Sequence, residues 1–309
     1  ALHQHRSFHV EQPYLESVDH CTVCGGGDWL PHLVAKDHTL SQELFPLTRC
    51  AQCGFCCTNP RPGPPHIGRY YDSPQYISHT NAARGLQNKL YQWARRRAIH
   101  GKHRLIARYR SNGKVLDVGC GTGEFLRHLK SRGYLTMGVE PNLGAREQAI
   151  AGHSLEVFPR LEDIPAAEQF QIATFWHVLE HLHDPRFALK QVYARMAKEG
   201  LLLLAVPDRA SWDADHYQST WAAYDVPRHL SHFRRQDLQR VLIEHGFELV
   251  SIRPMWFDAP YVAMLSERYR GSGPLGALLR GLFIGAVSNL ASLITWRPTS
   301  STLYVAKKA

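Results

Sequence analysis

Residues Val115 to Phe125 read VLDVGCGTGEF, and this stretch decides the fold. Val115, Leu116 and Val118 make a short apolar run of the kind that forms a buried strand. Gly119, Gly121 and Gly123 follow in a turn, and Glu124, Phe125, Leu126 and Leu129 open a helix. Glycine supplies positive φ and presents no Cβ. A strand, a glycine turn and a helix N-terminus therefore let backbone approach a nucleotide-like ligand closely. The spacing is G-x-G-x-G, not the G-x-G-x-x-G that seats a pyrophosphate. Glu124 suits a helix N-terminus but is a poor neighbour for a pyrophosphate.

Outward from the turn, strands and helices alternate, which predicts a doubly wound sheet. A helix over Glu124–Ser131 ends at Gly133, and Thr136–Val139 reads as a second strand with Glu140 and Pro141 at its carboxyl end. An acid about twenty residues after such a turn is placed to accept hydrogen bonds from both ribose hydroxyls. Leu155–Phe158 is the third strand and Phe170–Phe175 the fourth. Leu201–Val206, a continuous apolar run, suits a central parallel strand. Arg235–His245 is a helix, Glu248–Ile252 a sixth strand and Ser301–Ala306 a seventh.

The chain has 309 residues, enough for one α/β domain with additions. No N-terminal run resembles a signal peptide, so a cytoplasmic protein is expected, with peripheral membrane contact as a variant. Four of the seven cysteines form Cys21-x-x-Cys24 and Cys50-x-x-Cys53, each pair followed by glycine. Two such knuckles make a closed tetrahedral thiolate site, so a structural zinc is expected in a ribbon over about residues 15–60. The domain reading is 1–68 for this module, 69–112 for a basic helical linker or lid and 113–309 for the sheet, with a helical insertion at about 257–299.

Charge is concentrated in the linker. From Asp72 to Asp117 no acid intervenes, while ten Lys and Arg residues lie between them, against a formal +9 for the whole chain. Most fall on a helix expected over Leu86–Tyr109. Such a face serves nucleic acid, an anionic membrane or an acidic protein, or is simply solvated. Residues 271–296 carry a single charge, Arg280, and read as one or two apolar helices. Packing on the core, on a second copy or over the acceptor pocket is the favoured reading, ahead of an interfacial membrane contact; a full span is least favoured, since a sheet strand must follow.

The glycine turn, the CxxCG and CxxCGF knuckles with TNPRP, GRYY, HVLEHLHDP (His177–Pro185) and YDVPRHLSHF (Tyr224–Phe233) occur together. In this combination the chain resembles class I S-adenosylmethionine (SAM) dependent methyltransferases, in a bacterial subgroup with an N-terminal four-cysteine ribbon. The resemblance implies a seven-stranded Rossmann-like sheet in the order 3-2-1-4-5-7-6, the seventh strand antiparallel. It implies SAM contacts from Asp117, Gly119, Cys120, Gly121, Gly123, Phe125, Glu140, Pro141 and His177. Cys120 is expected to pack or to lend its amide. Arg160 stands where many relatives have an adenine-binding acid, so the backbone near Leu161 takes that role. Tyr71 and Tyr76 are carried over from related enzymes in which this segment covers the SAM site.

Methyl transfer to a hydroxyl or carbon acid requires alignment and removal of a proton. His181 or His229 is the expected base, with Glu180 beside it and Tyr224 and Arg228 orienting the acceptor. His177-x-x-Glu180-His181 is similar to the E-x-x-E-H metal motif of small-RNA 2′-O-methyltransferases and ubiquinone-pathway O-methyltransferases, with His177 in the first position; no second metal is expected. The leading function is methylation of O or C on a small sugar, lipid-like or polyketide acceptor, free or on an acidic carrier protein. The alternatives are an RNA methyltransferase gripping phosphates with ribbon and basic helix, and a non-catalytic SAM-binding protein. Nucleic acid is disfavoured because the basic stretch holds no aromatic platform.

Overall fold

A computed structural model of the chain describes residues 14–71 and 86–309. The amino-terminal part is made of short strands. β1 (Leu15–Glu16), β2 (Trp29–Lys36), β3 (Leu44–Cys50), β4 (Cys56–Thr58) and β5 (Arg61–Pro62) precede a long helix, α1 (Leu86–Tyr109). The sheet domain then runs β6 (Lys114–Val118), α2 (Glu124–Lys130), β7 (Leu135–Val139), α3 (Leu143–His153), β8 (Glu156–Phe158), β9 (Phe170–Trp176), α4 (Pro185–Arg195) and β10 (Met196–Pro207). It continues through α5 (Trp212–Tyr217), β11 (Ser231–His232), α6 (Arg235–Glu244), β12 (Phe247–Pro254), α7 (Asp258–Tyr269), α8 (Pro274–Thr295) and β13 (Ser301–Lys308).

Seven strands form one sheet in the order β8-β7-β6-β9-β10-β13-β12. β8, β7, β6, β9 and β10 are parallel neighbours, and β13 is antiparallel to both β10 and β12. Buried on both faces, β10 shows the two-residue period of a strand. Leu202, Leu204 and Val206 join the core on one side, Leu201, Leu203 and Ala205 the core on the other. Local capping sets the helices. Asn142 accepts from the Ala145 amide at the start of α3, and Asp184 accepts from Phe187 at the start of α4, with Pro185 in the first turn.

The amino-terminal module is not a separate bead. β2, β3 and β4 form a sheet whose fourth strand is β11, contributed by the loop after β10. Cys21, Val23, Cys50, Phe55 and Cys57 share one core with Leu202, Leu204, Phe233 and Leu238 of the sheet domain. Arg228 clamps the two parts together. It is 0% exposed, its Nη2 donates to Asp37 at 3.0 Å and to Asp225 at 2.6 Å, and its Nη1 donates to the Tyr70 carbonyl at 3.1 Å. A buried guanidinium needs such pairing. The expectation that Arg228 orients an acceptor is therefore corrected: all three of its nitrogens are engaged, Nη1 and Nη2 with the module and Nε with Asp225 of its own loop.

Candidate active site

The three glycines of the turn have φ of +72°, +55° and +78°. A Cβ at Gly119 would lie 2.4 Å from the Val178 side chain, and one at Gly123 would lie 2.4 Å from Leu155, so these two allow the turn to pack. Gly121 differs, because a Cβ there would meet nothing within 4 Å. Its free face is the one open to a ligand. Glu140, at the end of β7, reaches back to it: Oε2 accepts from the Gly121 amide and Oε1 from the Asn142 amide, both at 2.9 Å. Burial pushes the Glu140 carboxyl up, opposed by these two amides.

Other residues expected around the cofactor take different places. The Cys120 thiol packs against Gly138, and its amide donates to the Val139 carbonyl at 3.0 Å. Packing is thus its role, and the amide is not free to be lent. Asp117 lies buried beneath the turn, accepting from the Thr174 hydroxyl at 2.5 Å; burial pushes its carboxyl up to about 6. Phe125 is buried with its ring edge-on to Trp176 at 5.8 Å. Leu161 is buried in a short 3-10 turn. Pro141 follows Glu140, and its carbonyl accepts from Arg146 at 3.1 Å. Tyr76 lies outside the described residues. Tyr71 reaches the histidines, its hydroxyl 3.0 Å from His181 Nδ1.

The basic helix contributes two side chains to this region. Arg95 donates to the Thr122 hydroxyl at 3.4 Å, inside the glycine turn. Lys102 lies with Nζ 4.4 Å from the Trp176 ring centre and 5.6 Å from that of Phe125. Burial pushes its ammonium down to about 8, opposed by Asp117 and Asp258. Spacing along α1 did not single out Lys102 from its cationic neighbours.

Beyond β9 the chain enters a cluster of titratable groups. His177 has φ of +58°, and a single 3-10 turn over Leu179–His181 follows instead of an α-helix. His177 Nδ1 is 3.4 Å from Glu180 Oε1, and its Nε2 is 3.3 Å from Asp258 Oδ2 at the start of α7. Burial alone would lower its pKa, but the two carboxylates outweigh it and hold the ring cationic up to about 10. A folded pKa raised above 6.5 means stabilisation that is complete below that value and is lost as pH climbs through about 10. With the side chain about a third exposed, His177→Gln is expected to cost about 1–2 kcal/mol at pH 6. The cost should vanish by about pH 10 in urea unfolding measured across pH. A pH-independent cost would show that packing, not charge, holds His177.

Glu180 is 1% exposed, and the His177 imidazole at 3.4 Å is the one ion-pair partner of its carboxylate among the described residues. Two imidazoles face it. His181 Nδ1 is 3.0 Å from the Arg228 carbonyl and His229 Nδ1 is 2.9 Å from the Ala223 carbonyl. A carbonyl only accepts, so the network assigns the His229 proton to Nδ1 and its lone pair to Nε2. His181 Nδ1 also lies 3.0 Å from the Tyr71 hydroxyl, which can donate, so its tautomer follows the direction of that contact. The rings meet edge to face with centroids 4.5 Å apart. Donor atoms of Glu180, His181 and His229 lie within 4.8 Å of one another. The His229 lone pair, the His181 ring and the Glu180 carboxylate, which also pairs with His177, thus converge where a proton or cation would be held. Burial keeps His181 neutral down to about 4. Tyr224, expected to orient an acceptor, is instead buried, packed edge-on against Trp221 and His232.

At the far side of the module, Cys21 and Cys53 Sγ are 3.5 Å apart, as are those of Cys24 and Cys50. All four sulfurs lie within 4.8 Å of one another.

Comparison with known proteins bears on the family and the fold. A ubiquinone biosynthesis O-methyltransferase from Glaesserella parasuis is 28% identical over 110 residues, which are 32% of this chain and 47% of that protein. One from Pseudomonas fluorescens is 36% identical over 97 residues, 28% of this chain and 40% of that protein. The chain thus spans less than half the length of these curated relatives. In fold it is similar to magnesium protoporphyrin IX methyltransferase from Synechocystis, solved with bound SAH, with a TM-score of 0.52 at 11% identity, covering 78% of this chain and 97% of that one. A family model described as a methyltransferase domain matches residues 90–252, from the basic helix through β12 and across both the glycine turn and the histidine cluster. The chain belongs to this methyltransferase-domain family, and its mostly parallel seven-stranded sheet is the Rossmann-like sheet of the methyltransferase fold.

Proposed function

We propose that the protein methylates a hydroxyl of a small-molecule acceptor and that His229 removes the proton. The observation that carries this reading is the His229 imidazole, anchored at Nδ1 by the Ala223 carbonyl, beside the buried Glu180 carboxylate and the His181 ring. A base fixed in one tautomer by a carbonyl presents its lone pair without reorganisation. His229 Nε2 is also 3.9 Å from Asp225, so the imidazolium that forms on proton removal has two carboxylates to stabilise it. His181, neutral down to about 4, orients the acceptor with Tyr71. Cationic His177 keeps the charge of Glu180 and Asp258 balanced at the mouth. The relatives that share the sequence act, by name, as O-methyltransferases, which supports oxygen over carbon.

SAM fits the open face of Gly121 and the Glu140 carboxylate, and when bound it supplies an electrophilic methyl on a sulfonium that departs neutral. Glu140 would accept from the ribose hydroxyls, and Lys102 lies where it would meet the methionine carboxylate. The four cysteines offer a closed thiolate set suited to zinc, with no position for a substrate, so the metal would fold the module and not catalyse.

The test is methyl transfer to a panel of phenolic, enolic and sugar hydroxyl acceptors, followed by mass spectrometry. On the accepted compound His229→Gln is expected to lower kcat about a hundredfold with unchanged SAM affinity, and His181→Gln to raise KM more than it lowers kcat. Full turnover in His229→Gln would remove the base assignment. Methylation of nitrogen or carbon alone would remove the hydroxyl reading.

A further inference from the structure

The hairpin of α7 and α8 is built inside out. The residues α8 buries are small or polar, namely Ala277, Gly281, Gly285 and Ser288. Gly281 and Gly285 let the two helix backbones touch: a Cβ at Gly281 would lie 2.5 Å from Met264 Cα, and one at Gly285 would lie 2.4 Å from Pro260 Cα. Ser288 donates to the buried Asp213 carboxylate at 2.8 Å, and Asp213 also accepts from Trp221 and Ser300, both at 2.7 Å. The large side chains point away from the protein. Leu275, Leu279, Leu282, Phe283, Leu293 and Ile294 are each more than half exposed, and Trp296 at the end of α8 is 85% exposed. A helix facing the core of a water-soluble domain has the reverse arrangement. Of the favoured expectation, packing on the core, on a second copy or over the acceptor pocket, the core contact is made by the small-residue edge.

Such a face needs an apolar partner, and its charge selects one. From Trp256 to Trp296 the exposed charged residues are Arg268, Arg270 and Arg280, with no exposed acid among them. Asp258 and Glu267, the two acids of the segment, are turned inward onto His177 and Tyr217; Glu267 also pairs with Arg280 at 3.7 Å, so the face keeps a net positive charge through Arg268 and Arg270. A second copy would set these arginines against the same three. An anionic bilayer surface neutralises them while taking the leucines and phenylalanine into its acyl boundary and the aromatic end residue at the headgroups. α8 is long and apolar enough to cross a membrane. Its backbone contact with α7, the Ser288 anchor and the immediate return into β13 hold it flat along the domain.

We propose that the α7–α8 hairpin is a monotopic docking surface for anionic membranes. α7 begins at Asp258, the partner of His177, with Phe257 83% exposed beside it. Docking therefore brings the bilayer next to the histidine cluster. If the hydroxyl-methylation reading holds, the acceptor is lipid-borne; the docking itself does not depend on that reading.

Flotation of the purified chain with vesicles tests it without any assay of activity. Binding is expected with vesicles of phosphatidylcholine mixed with phosphatidylglycerol and to be weak with phosphatidylcholine alone. Leu279→Glu with Phe283→Glu, both exposed and outside the core, should lower the bound fraction at least about tenfold with unchanged circular dichroism and SAM affinity. Arg268→Glu with Arg280→Glu should remove the preference for anionic vesicles. No flotation, flotation unaffected by the apolar pair, or an unchanged lipid preference in the arginine pair would each overturn the proposal. So would sedimentation showing a dimer that the apolar pair splits, with no vesicle binding, which would assign the face to a second copy.

Discussion

Glu140→Ala is expected to weaken SAM binding about a thousandfold while leaving the fold intact. Two charge-assisted hydrogen bonds to ribose hydroxyls at about 2 kcal/mol each give about 4 kcal/mol, or three decades in Kd. In the structure the same two oxygens accept from the Gly121 and Asn142 amides at 2.9 Å, so the carboxylate is already aimed across the open face of the turn. The turn does not depend on it for shape. The Gly119 and Cys120 amides bind the Val139 carbonyl at 2.7 and 3.0 Å, and the Gly123 amide binds the Cys120 carbonyl at 3.0 Å. Melting temperature should therefore change little. Glu140→Gln retains one acceptor oxygen and is expected to lose about tenfold. Calorimetric titration with SAM separates these outcomes, and wild-type affinity in Glu140→Ala would exclude Glu140 from the ribose.

The parts of this molecule that follow local periodicity were legible in its sequence. The expected bounds of α1, Leu86–Tyr109, are the observed ones, and β7, β9, β12 and β13 lie within a few residues of their expected positions. Buried runs and glycine stops are local signals, and a helix or strand answers to its own residues. What was not legible depends on distant partners. From its place in a loop dense with functional side chains, Arg228 reads as facing an acceptor. Its carboxylate partner Asp37 is 191 residues away, and no local pattern reveals that contact. Lys102 is one cation among ten, distinguished only by the ring of Trp176 that meets it. Asp258 was not read as part of the site, because its role needs the hairpin to start where β9 ends. In α8 the apolar composition was plain, but which residues face the protein was decided by the two glycines, which fit where leucine would not.

Removal of zinc from the four-cysteine module is expected to stop methyl transfer, although none of the thiolates touches the site. The connection runs through a few residues. The second knuckle closes with the Cys50 amide donating to the Phe55 carbonyl at 2.8 Å, and β4 begins at the next residue. β4 pairs with β11, placing Cys57 opposite Ser231 and Cys56 opposite His232. Thr58 then holds the base directly: its hydroxyl donates to the His229 carbonyl at 2.8 Å, and its amide donates to the Leu230 carbonyl at 3.1 Å. Arg234, which follows β11, donates to the Cys53 carbonyl at 2.6 Å from the other side. Without the metal the sulfurs take up protons, with burial pushing Cys21 up and Cys53 to about 11, and no longer tie the two knuckles together. Structural zinc in comparable small sites contributes about 10–16 kcal/mol of apparent binding energy. That is as large as the stability of a typical domain. β4 should therefore loosen, and β11 and His229 with it. Metal analysis is expected to find about one zinc per chain, lost in Cys24→Ser. In chelator-treated protein, hydrogen exchange should accelerate over residues 44–58 and 229–232 but not over β6 and β7, so SAM binding should persist while turnover falls by at least about a hundredfold. Restoring zinc should restore turnover. Metal-free protein that keeps full activity would show that β11 is held by its own packing, and that the knuckles serve the module alone.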